Sequence, residues 1–188
     1  MGAAMGRIKG RVILNARDFV VARDGSDAWR RALGRLPDDE RDALASMIPA
    51  GWYAMSLNDH VNRAIVDTIG GGSSEPMESL GRYAAETDLK TIHRLFLRMA
   101  NPAFVLERVA EFWRRYQDSG TWTVVRETDN RVNAQLKGWA SRDEMTCVRL
   151  AAYSRHLFEL VGAKHVWLER RACEARGDPA CVFVGGWS

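Results

Sequence analysis

The sequence predicts an α+β protein in which a helical N-terminal two thirds packs on an antiparallel sheet formed by the last third. Before about residue 120, apolar residues recur at helical intervals, as at Val61, Ala64 and Ile65. After that point, two short strand-like runs, one long amphipathic stretch and two further short runs predict a β-β-α-β-β unit at the C-terminus.

The N-terminal part is predicted to contain one strand and three short helices. Residues 7–14 have the composition of a short strand. Asn15 then starts a helix as its N-cap, because its side-chain oxygen can accept a bond from a free backbone N–H. Ser26 or Asp27 is expected to cap a second helix, and Pro37 begins a third because proline is favoured in the first helical turn.

Three longer helices are predicted in the middle of the chain. Asn58 is expected to cap the first of them. The glycines at 70–72 form a loop, and no Lys-Ser/Thr pair follows them as a phosphate-binding loop requires. Helices are then expected over 76–97 and 102–118, the second capped by Asn101.

The last third supplies the predicted sheet. Residues 122–128 and 131–137 are expected to pair as a hairpin around a tight turn. Ser141 and Glu144 have the spacing of a capping box and are expected to start a helix over 142–161. Two further strands are predicted over 164–173 and 180–184.

Composition limits the class of protein. The chain has 188 residues, 46% hydrophobic and 27% charged, so it is long enough and apolar enough for one folded domain. No apolar stretch approaches the roughly 20 residues of a membrane span, and no secretory signal is visible, so we expect a cytoplasmic protein. The net charge is only +3 and the arginines alternate with acids, which does not favour nucleic-acid binding.

The last hairpin carries a resemblance to a known family. Cys173, a Gly177-Asp178 turn, Cys181 and Phe183 resemble the C-terminal hairpin of 4-vinyl reductase (4VR) domains. Upstream segments are similar to a paralogous myxobacterial family of such domains with no assigned activity. The resemblance implies a single domain over 1–188, with an N-terminal strand and helices in 1–75 and a 4VR-like core in 76–187.

The resemblance implies a small-molecule sensor or regulatory module rather than an enzyme. Its fold is shared with TRAPP trafficking subunits and is distantly related to haem nitric-oxide-binding domains. Because the chain ends at Ser188 without an output domain, such a sensor would act through dimerisation or a protein partner. The alternative is a non-catalytic homodimeric interaction module; an accessory role in tetrapyrrole vinyl reduction is an analogy by family name alone.

Four residues are candidate ligand contacts. In phenol-sensing relatives a helix His and a Trp near the hairpin hold the ligand hydroxyl, which the resemblance assigns to His93 and Trp122. Trp113 and Phe158 are expected to line the same apolar cavity for a small apolar or aromatic molecule. The alternatives are ordinary core packing of the aromatic residues and a His bonded to a carbonyl or to water; haem ligation by His93 has no second supporting feature.

The three cysteines are candidate zinc ligands. In relatives with a structural zinc, the resemblance places ligands at Cys147, Cys173 and Cys181, with a Glu three residues before the first hairpin Cys. Here that position is Arg170, and Glu169 would face the other side of a strand. The fourth ligand is therefore open, and the alternatives are three buried reduced thiols or, less expected in the cytosol, a disulfide.

Overall fold

The computed structural model describes residues 6–92 and 101–188, and it confirms the α+β class. The helices in this part are α1 (Gly10–Asp24), α2 (Ser26–Leu33), α3 (Asp38–Ala45), α4 (Met55–Ile69), α5 (Glu75–Ile92), α6 (Pro102–Tyr116) and α7 (Glu144–Leu160). The strands are β1 (Arg7–Lys9), β2 (Trp52–Ala54), β3 (Thr121–Thr128), β4 (Arg131–Lys137), β5 (Trp167–Ala172) and β6 (Cys181–Gly186), with a 3₁₀ turn at Glu174–Arg176.

The described strands form two antiparallel sheets. The larger has the order β3-β4-β6-β5, and α7 connects β4 to β5, so the predicted β-β-α-β-β unit is confirmed. Trp122, Leu136 and Cys181 are directly paired across β3, β4 and β6 and therefore point to the same face. Leu136 and Cys181 are almost fully buried, which places this face against the helices.

The first strand is shorter than predicted and belongs to a separate sheet. Only Arg7–Lys9 is extended, paired with β2, and the helix begins at Gly10. A Cβ added at Gly10 would lie 2.3 Å from the carbonyl oxygen of Ile48, so this close approach admits only glycine. Asn15 lies inside α1, where its buried amide donates to Asp88 (3.2 Å), and it is not a helix cap.

The predicted caps Asn58 and Ser141 are also wrong, α2 follows Gly25 with no side-chain cap from Ser26 or Asp27, and Asn101 is confirmed. Asn58 is buried within α4. Ser141 donates to Asp59, while α7 is capped by Asp143, whose side chain accepts from the backbone N–H of Met145. Asn101 does cap α6, since it accepts from the backbone N–H of Phe104 at 2.9 Å. The polar side chains of Asn15, Asn58 and Ser141 bond instead to distant parts of the fold.

Helices α5 and α7 pack closely and frame the interior. They meet at Gly81, where an added Cβ would lie 2.5 Å from the carbonyl oxygen of Arg149. None of the helices in the described ranges combines the length and apolar character that crossing a bilayer requires. The division of the chain at 75/76 stays a prediction.

Candidate functional site

A cavity of about 220 Å³ lies between helices α1, α5, α6 and α7 and the start of β3. A second cavity of about 80 Å³ lies beside it, against the inner face of the larger sheet. Trp122, Ser154 and Phe158 contribute to the walls of both. The two spaces are therefore neighbours separated by a shared wall.

The wall at the β3 end is made of packed tryptophans. Trp113 meets Trp122 edge to face at 5.6 Å between ring centroids, and it meets Trp139 at 5.4 Å. The indole N–H of Trp113 donates to the carbonyl of Ser119 at 2.7 Å, and that of Trp139 donates to Gln117 at 2.9 Å. These contacts fix two of the three rings, because each buried polar atom has its partner.

The ring of Trp122 differs from the other two because its indole N–H has no partner in the described part of the chain. Its Nε1 atom is buried. An unpaired buried N–H costs about 1–3 kcal/mol relative to a paired one. The ring that carries this unpaired donor forms part of the shared wall of the two cavities.

The structure brings three of the four predicted ligand residues together. Trp113, Trp122 and Phe158 line the larger cavity. Phe158 also packs against Trp187, with ring centroids 5.3 Å apart. His93 lies outside the described residues. A role of these residues in holding a ligand stays a prediction.

The end of the cavity near α1 is polar. Asp88 accepts a hydrogen bond from Asn15 (3.2 Å) and one from the hydroxyl of Tyr153 (3.3 Å), and its Oδ1 lies 4.0 Å from Arg11 Nε. Burial raises the pKa of Asp88 above its ordinary value, although these partners oppose the shift. Burial likewise raises the pKa of Tyr153 well above 10, so its hydroxyl stays a donor at neutral pH.

The raised pKa of Asp88 predicts a pH dependence of stability. A carboxyl whose pKa is higher in the folded state binds protons more readily there, so folding gains stability as the pH falls through that raised pKa towards 3.8. We therefore expect Asp88 to increase the free energy of unfolding, measured in urea, as the pH falls from 7 to 4. The Asp88→Asn variant should show a smaller difference between these two pH values, and an unchanged difference would contradict this assignment.

Arg149 is the second charged residue of the polar end, and it is 6% exposed. Its Nη2 donates to the carbonyl of Val12 at 2.7 Å, and its Nη1 lies 3.4 and 3.3 Å from the amide oxygens of Asn58 and Asn62. Burial lowers the pKa of Arg149 to about 10, while the charge of Asp88 acts in the opposite direction. The guanidinium is therefore charged at neutral pH and is held by neutral oxygens.

Sequence reasoning missed this polar end. Arg149 and Tyr153 are four residues apart and border the apolar stripe of α7, so helical spacing could have placed both at the interior. Helical spacing along α7 says nothing about Asp88 and Asn58. They come from two other helices, and only the tertiary structure brings them to Arg149 and Tyr153.

The three cysteines converge beneath the sheet. Cys147 Sγ lies 3.4 Å from Cys181 Sγ and 3.2 Å from Cys173 Sγ, and the three sulfur atoms lie within 4.8 Å of one another. All three are buried and free of disulfides. The hydrogen bond with Cys147 lowers the pKa of Cys181 to about 7, and the same contact raises the pKa of Cys147 above its ordinary range.

Nearby acids are engaged elsewhere. Glu174 accepts from the backbone N–H groups of Gly138 (2.8 Å) and Trp139 (3.1 Å), and Asp178 accepts from that of Cys173 (2.7 Å). Arg170 is bonded to Glu144. Among the described residues, the group that could hold a metal consists of the three thiols alone, so the described part of the chain adds no fourth ligand to them.

Comparison with known proteins relates this chain to H-NOX domains by fold. An H-NOX protein from Shewanella oneidensis in an Fe(II)NO state matches with a TM-score of 0.75 at 13% identity, over 96% of this chain and 99% of that one. An H-NOX protein from K. algicida matches with a TM-score of 0.73 at 14% identity, over 96% of this chain and 97% of that one. An oxygen-binding H-NOX domain related to soluble guanylate cyclases matches with a TM-score of 0.69 at 11% identity, over 96% of this chain and 95% of that one.

No family model and no curated protein matches the chain. These structural matches are H-NOX domains, so the assignment to 4-vinyl reductase domains is wrong. The residues behind that resemblance form the turn between β5 and β6, where Gly177 is left-handed (φ 93°) and Asp178 accepts from the N–H of Cys173. This chemistry is used by many tight turns, so it identifies a hairpin and not a family.

The H-NOX structures are described in iron-bound states, which raises the question of haem. Haem iron is held by His, Cys, Met or Tyr. Among the described lining residues only Tyr116 and Tyr153 are of these types, and burial raises the pKa of both, which disfavours the phenolate. The described histidines 60, 156 and 165 lie outside the lining. The described residues therefore do not fit a haem iron.

Proposed function

We propose that this chain is a small-molecule-binding sensor or regulatory module, whose ligand is a small, mainly apolar or aromatic molecule held in the cavity between α5, α6, α7 and β3. The observation that carries the proposal is the buried, unpaired Nε1 of Trp122 in the wall shared by the two cavities. A ligand oxygen would satisfy this donor.

The cavity walls support an apolar ligand. Outside its polar end, the lining consists mainly of aliphatic and aromatic side chains, among them Val109, Phe112 and Leu157. Sites for small molecules are commonly apolar with a few placed polar groups. The related fold of H-NOX proteins described with NO or oxygen is also that of small-molecule-binding domains. The proposal assigns no catalytic residue, and action through dimerisation or a partner stays a prediction.

The test compares two compounds of similar shape, acetophenone and ethylbenzene, by titration calorimetry. Only acetophenone has an oxygen that can accept from Trp122 Nε1, so we expect it to bind the wild-type protein several-fold more tightly. The Trp122→Phe variant should remove this preference and retain ethylbenzene binding. The Trp52→Phe variant, whose tryptophan lines neither cavity, serves as the matched control.

Two results would contradict the proposed function. One is failure of both compounds to bind the wild-type protein. The other is a shifted haem absorption band with one haemin per chain, which would indicate a haem protein. An unchanged acetophenone preference in Trp122→Phe would remove Trp122 from the site.

We further propose that Cys147, Cys173 and Cys181 bind one zinc ion. Three thiols within 4.8 Å of one another suit the tetrahedral geometry of Zn²⁺ with Zn–S distances of about 2.3 Å. Metal analysis of protein purified under reducing conditions without chelator should give about one zinc per chain. The Cys173→Ser variant should lose it, and a metal-free wild type would leave the three residues as packed thiols.

A further inference from the structure

We propose that the ligand is a carboxylic acid with an apolar body, whose carboxylate pairs with Arg149. This inference rests on the proposed function, because it names the chemical class of the molecule in the same cavity. It is argued from the charged residues at the polar end of the cavity, and not from the aromatic wall around Trp122.

Arg149 is a buried cation without a direct anionic partner in the described chain. The hydrogen bonds of its guanidinium go to one backbone carbonyl and two amide oxygens. None of the described carboxylates lies within 4.0 Å of it. Burying a charge is unfavourable unless a counter-charge compensates it. A ligand carboxylate would supply that counter-charge.

Asp88, the acid of this polar end, is already engaged. Its oxygens accept from Asn15 and Tyr153, and its side chain faces Arg11 as well as the cavity. The charge of Asp88 acts on Arg149 from beyond the 4.0 Å of a direct ion pair. A carboxylate that enters next to Arg149 would give the guanidinium a direct anionic partner, which a cation would not.

The rest of the cavity suits the body of such an acid. Leu150, Leu157 and Phe158 lie on the same helix as Arg149 and line the same cavity. At about 1.5 Å per residue, Arg149 and Phe158 are separated by about 13 Å along α7. An acid with an extended alkyl or aryl-alkyl body would thus contact charge at one end and the apolar walls along its length.

The experiment compares decanoate with 1-decanol, each below its aggregation limit, by titration calorimetry at pH 7.5. We expect the wild-type protein to bind decanoate at least about tenfold more tightly, as a charge-assisted hydrogen bond predicts. Arg149→Met should abolish the preference, while Arg149→Lys, which keeps the charge, should retain part of it. Arg82→Met, an exposed arginine on α5, is the matched control and should behave as wild type.

The outcomes separate this inference from the proposed function. Equal affinities of decanoate and decanol for the wild type would overturn the acid assignment and leave a small-molecule site. Failure of both to bind, together with failure of acetophenone and ethylbenzene, would overturn the proposed function. If Arg149→Met does not fold by circular dichroism, the wild-type comparison and Arg149→Lys decide the question.

Discussion

Replacing Asp59 with alanine is expected to lower the free energy of unfolding by about 3 kcal/mol. Asp59 on α4 accepts three hydrogen bonds from the segment that starts α7. The donors are the Ser141 hydroxyl, the Arg142 backbone N–H and the Thr146 hydroxyl, each at 2.8 Å. Alanine would leave these donors unpaired in a buried place, since Ser141 and Thr146 are about 5% exposed or less.

Burial moderates this effect. It raises the pKa of Asp59, so the charged carboxylate itself is unfavourable there, and its removal returns part of the lost stability. The loss should nevertheless exceed that of Asp59→Asn, which keeps one acceptor oxygen. Asp67→Ala, an exposed acid on the same helix, should change stability by less than about 0.5 kcal/mol. Urea unfolding at pH 7 measures all three, and equal losses for Asp59→Ala and Asp67→Ala would refute the assignment.

Replacing Gly81 with alanine is expected to destabilise the protein by about 2–3 kcal/mol, although alanine favours helices. The added Cβ would lie 2.5 Å from the carbonyl oxygen of Arg149 and 2.8 Å from the backbone nitrogen of Tyr153. Backbone atoms cannot rotate away as a side chain can. Helices α5 and α7 would therefore have to separate, and the polar end of the cavity would open.

Gly34→Ala is the matched control. At Gly34, at the end of α2, the added Cβ would meet its nearest atom at 3.4 Å, and the backbone is already in the right-handed helical region. We expect no loss of stability there. Thermal and urea unfolding compare the two variants, and a neutral Gly81→Ala would mean that α5 and α7 pack less tightly than described.

Local chemistry made parts of the fold predictable. The hairpin of β3 and β4 follows from two short strand-like runs around a tight turn. The Asn101 cap depends only on the backbone N–H three residues further along the chain. Ser141, Asn58 and Asn15 were predicted as caps for the same reason, and each failed. Their polar groups bond to residues more than 70 positions away, and a local pattern carries no information about such partners.

The sequence by itself determined the α+β class and the C-terminal β-β-α-β-β order. Periodicity and turn chemistry suffice for these because they act over a few residues. Only the tertiary structure decided that Arg149 and Asp88 share one polar end and that the fold is that of H-NOX domains. Which charged side chains are buried together depends on which helices pack against each other, and that packing involves residues far apart in the chain.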